Sequence, residues 1–412
     1  MRSDFGSLWI WKERRVMDHF KWYYSVATNN KPAKYLICKR IGVNNSIDSA
    51  DMHTLWEEYD RSCKRFLDVW RDVKDGRSML NDMPVAHDNL LDLLLAIVNR
   101  SLRACNFCRW QCRVDRFSGS KLGACKLESE SRVSTFFPHH GEELVFRGTR
   151  GSGTIFFTSC NMRCAFCQNG DISTDRFNGA VVTPYIIALM AYNLRLKGCH
   201  NINWVGGEPV IHLHNIVEAV HIMSRFTASM ARHSMHDNSD SASYNHAYYK
   251  GEFNVPQLWN SNFFMSKEAM NILRCIIDVW LPDLKFGSDR CALRLARTPW
   301  YWDTVTSNIK QIYEWGEDMV IRHLIMPGHI ECCTKPVLRW IAENTPDALV
   351  NIMDQYRPEN YCDMYSPKYD PAYRDMARFP TGEEIDEAYR YADSLGLNFE
   401  IVTFEKRATG IL

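Results

Sequence analysis

The chain has 412 residues with 49 Lys and Arg against 49 Asp and Glu, so its formal charge is zero. That balance excludes the basic footprint of a nucleic-acid binder and the polybasic patch of a membrane-surface protein. With no run of about 18 apolar residues, a membrane-spanning helix is excluded too. A hydrophobic share of 46% and a charged share of 24% suit a globular chain of one large domain with additions, or of two domains. The N-terminus, Met1 to Gly6 followed by the charged Lys12 to Arg15, lacks a signal-peptide pattern. Fifteen cysteines in that setting point to a reducing cytoplasm and to metal ligation rather than disulfides. Seven form two tight clusters, and Cys38, Cys63, Cys199, Cys275, Cys291, Cys332, Cys333 and Cys362 are expected as buried structural thiols. Thirteen Trp, 18 Tyr and 20 Phe suit a large core or a flat-walled pocket.

Residues 1–99 read as a helical extension packed on the main domain. Leu55, Tyr59, Cys63, Phe66 and Trp70 recur at helical spacing, and 89–99 is a second, more buried helix. Residues 100–150 form a Cys-rich segment in which Cys105, Cys108, Cys112 and Cys125 have metal-site spacing, suited to zinc or to a second iron–sulfur cluster. From Gly153 strands and helices alternate. Strands are expected at Thr154–Ser159, Asn201–Val205, Pro256–Phe264, Ile276–Phe286, Met319–Met326 and Ala348–Tyr356. Helices are expected at 184–197, 212–226, 266–274, 302–315 and 334–344, the first capped by Thr183 with Pro184 behind it. Six such units predict an α/β fold, a parallel sheet curled into a partial (βα)6 barrel over residues 151–360, with chemistry at the strands' C-terminal ends. The polar, aperiodic stretch 227–254 reads as a long inserted loop or lid. Residues 361–412 add a helix capped by Thr381 and a strand near Phe399–Val402.

The first strand runs into Cys160, Cys164 and Cys167, spaced C-x3-C-x2-C. Three thiolates on one short loop can hold three irons of a 4Fe–4S cluster, leaving one iron open to a ligand that is not protein. A structural zinc site or a ferredoxin-like electron carrier, without catalysis, is the plainer alternative. With an aromatic residue, Phe166, before the last Cys, the loop resembles that of the radical S-adenosylmethionine (SAM) superfamily. The resemblance implies that SAM chelates the open iron and is cleaved by one electron, supplied by a reductant such as ferredoxin or flavodoxin, to methionine and a 5′-deoxyadenosyl radical.

The same resemblance carries roles to other strand ends. Gly206, Gly207, Glu208 and Pro209 match the family's SAM-binding turn, where glycines let backbone approach the ligand and Glu208 helps hold the methionine amino group. Asn260, Ser261 and Asn262 match a polar triplet that contacts SAM. Lys285 is expected to neutralise the SAM carboxylate, with Asp283 orienting it. Arg322 and His323 point at the barrel mouth, and Asp354 or Tyr356 faces the substrate. His140, Glu142, Glu143 and the stretches around 276–286, 322–328 and 351–358 narrow the resemblance to the pyruvate formate-lyase activating-enzyme-like branch. Arg109 departs from the Pro usual there, and the N-terminal extension and the 227–254 insertion are additions.

A methanogen relative in that branch is similar in these additions. It is a methyltransferase that uses cobalamin to C-methylate a glutamine in methyl-coenzyme M reductase. That likeness implies a protein or peptide substrate and a second, methyl-donating SAM, although no D-x-H-x-x-G cobalamin motif is present. His233, His236 and His246 are the insertion's candidate cobalt ligands, read more simply as solvated. The alternative enzyme reading is a glycyl-radical activase that abstracts hydrogen without methyl transfer.

Overall fold

The computed structural model describes residues 4–44, 47–230 and 246–405. Its strands are β1 (Ser131–His139), β2 (Ser152–Phe157), β3 (Ala180–Val182), β4 (Ile202–Gly206), β5 (Tyr248–Tyr249), β6 (Glu252–Phe253), β7 (Gln257–Ser261), β8 (Val279–Pro282), β9 (Val320–Leu324) and β10 (Leu349–Met353). Strands β2, β4, β7 and β8 are parallel neighbours. Bridges Trp280–Met319 and Asp283–Arg322 carry the sheet on to β9, which pairs in parallel with β10. The six strands are those expected, curled into an open barrel; β2 and β4 keep their expected lengths, and β7, β8, β9 and β10 are shorter than the apolar runs that announced them.

Alternation along these strands sorts side chains into two environments. Trp204, Trp259 and Trp280 stand in cross-strand register, fully buried toward the helices. Their neighbours line the inside in two layers. The lower layer is apolar, with Leu258, Val279, Leu281, Val320 and Leu349 packed against Phe5, Ile10, Phe20 and Tyr23 of the N-terminal extension. The extension therefore plugs the bottom of the barrel. Polar ties fix it there: Trp22 Nε1 donates to Asp278 Oδ1 at 3.0 Å, the Tyr23 amide donates to Asp318 Oδ2 at 2.8 Å, and Lys34 pairs with Glu317, both buried. The upper layer is polar and belongs to the site.

The helix Met52–Asp75 is capped by Asp51, whose Oδ1 accepts the Thr54 amide at 2.8 Å, and it buries Leu55, Tyr59, Phe66 and Trp70 as expected. Helix Leu90–Ser101 opens on a capping box of Asn89 and Asp92. Among the described residues no helix is long and apolar enough to cross a membrane.

Four features differ from expectation. Strand β1 pairs antiparallel with β2 and with β3, covering the barrel's first edge. A helix at Asp289–Ala296, capped by Ser288, follows β8. The strand expected near Phe399–Val402 is a short helix, Glu400–Thr403. The edge of β10 is met instead by a bridge from Asn398 to Leu349 and by the Thr403 hydroxyl, which accepts the Ile352 amide at 3.0 Å. The last part of the 227–254 insertion is no lid: β5 and β6 form a hairpin whose Glu252 is held by Lys39, at 2.7 Å, and Arg40 of the extension. His246 lies just before this hairpin, and its backbone carbonyl accepts from Asn29 Nδ2. His233 and His236 lie outside the described residues.

Candidate active site

The loop leaving β2 is shaped by its neighbours. Ser159 has a left-handed backbone (φ 66°), its amide donates to Ile172 O at 2.8 Å, and its hydroxyl donates to Cys125 O at 2.6 Å. Beyond it, the Arg163 and Ala165 amides donate to Ala296 O and Leu295 O at 2.9 and 2.7 Å, and Trp110 Nε1 donates to Asn161 O at 2.8 Å. Held on these sides, the loop presents Cys160, Cys164, Phe166 and Cys167 to a cavity of about 340 Å³ at the strands' C-terminal ends. Burial pushes all three thiols up, Cys164 to about 12, so each becomes a thiolate when a metal ion takes the place of its proton, which is released to solvent.

Gly206 and Gly207 form the opposite wall because nothing larger fits. A Cβ on Gly206 would lie 2.2 Å from Phe157 O, and one on Gly207 only 1.6 Å from Ser159 O. The Gly207 amide donates to Phe157 O at 2.9 Å, so the end of β4 lies flat on the cysteine loop. Glu208 is wholly buried, and its carboxylate accepts from the Val210 amide at 3.1 Å, the Ser261 hydroxyl at 2.7 Å and the Asn262 amide at 2.9 Å. Burial still pushes it up to about 7. It thus splices the end of β4 to the end of β7. Asn262 Nδ2 in turn donates to Asn161 Oδ1 at 2.8 Å and lies 3.6 Å from Cys160 Sγ.

The floor is a buried charge layer centred on Arg322. Its Nε donates to Asp283 Oδ1 at 2.8 Å, Nη2 donates to Asn260 Oδ1, and Nη1 lies 3.6 Å from Glu142 Oε2. Lys285 pairs with the other oxygen of Asp283. Burial disfavours the ionised form of Asp283, yet the charges of Arg322 and Lys285 outweigh it and hold the carboxyl below its ordinary value. Glu142 behaves alike: burial is outweighed by His139, 3.4 Å away, and by Arg322. Its Oε1 also accepts from Asn203 Nδ2 at 3.1 Å.

Of the residues singled out from sequence, Cys160, Cys164, Phe166, Cys167, Gly206, Gly207, Glu208, Asn260, Ser261, Asn262, Asp283, Lys285 and Arg322 line this one cavity. Four do not. His323 alternates with Arg322 and so faces the helices, buried, with Nδ1 at 2.8 Å from Leu284 O and Nε2 at 3.0 Å from Thr334 Oγ1. Pro209 is buried as the first residue of a short 3-10 helix. Tyr356 turns inward to donate to Met376 O at 2.7 Å and packs beside Phe166. Asp354 is exposed, on the same alternate side. Their neighbours Leu324, Met353 and Gln355 line the cavity instead, as do His139 and Glu142. The period of two from Arg322 and from Asn351 carries the signal for the first three. Cys105, Cys108, Cys112 and Cys125 also converge, around a void of about 10 Å³ beside the site.

Residues 154–341 match the model of the radical SAM superfamily. The uncharacterized protein MJ0674 of Methanocaldococcus jannaschii is 33% identical over 381 residues, 91% of this chain and 97% of that one. Among solved structures, a domain of pyruvate-formate lyase-activating enzyme from Bacteroides vulgatus aligns over 48% of this chain and 96% of its own, at 15% identity and TM-score 0.32. SuiB of Streptococcus suis bound to its precursor peptide SuiA aligns over 59% and 46%, at 13% identity and TM-score 0.37.

Proposed function

Since the chain belongs to the radical SAM superfamily, we propose that it uses Cys160, Cys164 and Cys167 to hold a 4Fe–4S cluster and modifies a carbon of a protein or peptide. The observation that carries this reading is the meeting of three cysteine thiols with the Gly206-Gly207 wall and the Arg322 floor around one cavity. The donor set fits: three soft thiols and no fourth cysteine among the residues lining it. A volume of about 340 Å³ suits one ligand of nucleoside size. When bound, the cluster and SAM supply reductive cleavage of the sulfonium and a carbon radical able to take hydrogen from an unactivated C–H bond.

The chain's own residues bind and orient. Gly207 lets the ligand reach backbone, and Asn260, Ser261 and Asn262 offer polar groups at the end of β7. Lys285, 19% exposed at its side chain, is the cation placed to meet a carboxylate, with Asp283 fixing its direction. Glu208 acts by joining β4 to β7, and so keeps the turn in place rather than meeting the ligand. Phe166 and Met353 shield the cavity from water. Cys105, Cys108, Cys112 and Cys125, which line one small void, would hold zinc or a second iron–sulfur cluster.

The finer reading, carried by the likeness of the N-terminal extension and insertion to the methanogen relative, is cobalamin-dependent C-methylation of a glutamine in methyl-coenzyme M reductase. A cavity of about 340 Å³ has no room for a corrin beside SAM, so the corrin would sit over the mouth. The test is product analysis of anaerobically reconstituted protein with SAM, reductant and a glutamine peptide, with and without cobalamin. S-Adenosylhomocysteine appearing only with cobalamin, alongside 5′-deoxyadenosine, is the expected result. 5′-Deoxyadenosine alone in both reactions retires methylation and leaves activase-like hydrogen abstraction.

A further inference from the structure

Three of the cysteines expected to be plain buried thiols meet a histidine in space. Among the described residues, the donor atoms of Cys291, His329, Cys332 and Cys333 all lie within 4.8 Å of one another. Cys332 Sγ is 3.1 Å and Cys333 Sγ 3.6 Å from His329 Nδ1. Cys291, His329 and Cys333 are buried, and Cys332 is half-buried. The four come from two neighbouring βα loops: Cys291 from the first turn of helix Asp289–Ala296 after β8, the others from the loop and π-turn after β9. Gly287 brings those loops together, since a Cβ there would lie 2.6 Å from Cys332 O and 2.9 Å from Cys333 Cα.

We infer that this group is a closed zinc site, distinct from the two cysteine clusters. Three thiolates and one imidazole complete a tetrahedral set of the structural kind, with no position left for water. Ligands about 2.3 Å from a tetrahedral ion stand roughly 3.8 Å apart, so the group closes on zinc with small side-chain movements. A four-iron cubane needs its thiolates spread wider around a larger core. Copper(I) does not call for the fourth, nitrogen ligand. Binding releases three protons from the thiols and uses the lone pair of His329 Nδ1.

The site's place in the fold gives it a task. Helix Asp289–Ala296 ends on Leu295 O and Ala296 O, the two carbonyls that accept the Ala165 and Arg163 amides of the cysteine loop. Zinc bound at the first turn of that helix pins it to the loop after β9. Glu384 steadies the same loop from the other side, its Oε1 accepting the Gly328 amide at 2.6 Å. The ion is a positioning element for the site through this helix and takes no part in the chemistry.

Diffraction from crystals of the full chain, purified without added zinc and dialysed against EDTA, tests this on either side of the zinc absorption edge. An anomalous peak among the four donor atoms that disappears below the edge is expected. No peak there, a peak tracking iron, or a sulfur–sulfur bond between two of the cysteines overturns it. Cys332→Ser should lower bound zinc by one per chain and leave bound iron unchanged. It should also speed hydrogen exchange of the Arg163 and Ala165 amides by on the order of tenfold. Unchanged zinc in that variant also overturns the assignment. If the variant does not fold, the wild-type anomalous peak decides.

Discussion

Gly207→Ala will strip iron from the protein. The new methyl would stand 1.6 Å from Ser159 O and 2.4 Å from Ser159 C, both backbone atoms of the residue before Cys160. Ser159 cannot yield, because Ile172 O holds its amide, Cys125 O holds its hydroxyl and its φ is already 66°. The end of β4 cannot yield either while Glu208 is tied to Ser261 and Asn262. Relief must come from separating β4 from the cysteine loop, at a cost above the roughly 1–3 kcal/mol of ordinary overpacking. Bound iron should fall from about four per cluster to under one, with a lower thermal midpoint. Gly382→Ala is the control, since a Cβ there meets nothing within 4 Å and sits at a helix start. It should leave iron unchanged and stabilise by up to about 1 kcal/mol. Wild-type iron content and thermal midpoint in Gly207→Ala would remove the close approach as the reason for the glycine.

Arg322→Ala should destabilise the chain by about 3–5 kcal/mol at neutral pH, the usual cost of leaving buried charge without its partner. Asp283, left with Lys285, and Glu142, left with His139, each lose the Arg322 counter-charge, and Asn260 loses a donor. The sign of the pH dependence follows from the depressed carboxyls. In the wild type, Asp283 and Glu142 titrate below their ordinary 3.8 and 4.5, so the stability they lend is present above those values and lost as pH falls through their lower, folded ones. In the variant burial is opposed only by Lys285 at Asp283 and by His139 at Glu142, so both carboxyls rise from their wild-type values. The deficit against wild type should therefore be full at about pH 7 and shrink below about pH 4.5, where the variant's carboxyls become neutral. Denaturant midpoints for both proteins across that range read it directly. A deficit that does not change with pH would mean that packing, and not charge, is what Arg322 supplies. Arg322→Lys, which keeps a charge but not the fork to Asp283 and Asn260, should lie between the two.

Much of this was legible from local pattern. The β-branched and aromatic run ending at Cys160, and the capping signals at Thr183 and Thr381, each act within a few residues, and the structure has them where the pattern places them. Strand β1 escaped because Pro138 and a mixed polar run weaken it as a strand; it exists by pairing with β2, which the sequence cannot display. His323 and Arg322 looked equivalent as adjacent polar residues on one strand. Alternation separates them, sending Arg322 to the charge layer and His323 to the helices. Asp354 and Tyr356 were displaced by Met353 and Gln355 for the same reason. The Cys291 group was invisible because its ligands come from two βα loops that meet only when the barrel closes.

The reading of Cys160, Cys164 and Cys167 as the reacting centre stands or falls on one comparison. Wild type and Cys164→Ala, each reconstituted anaerobically with iron and sulfide, are given SAM and dithionite, and 5′-deoxyadenosine is followed with time. Wild type should form it steadily, and the variant, left with two of its three ligands, should form none above the protein-free blank. Cleavage by Cys164→Ala at a rate near that of wild type would contradict the assignment and move the chemistry elsewhere in the molecule.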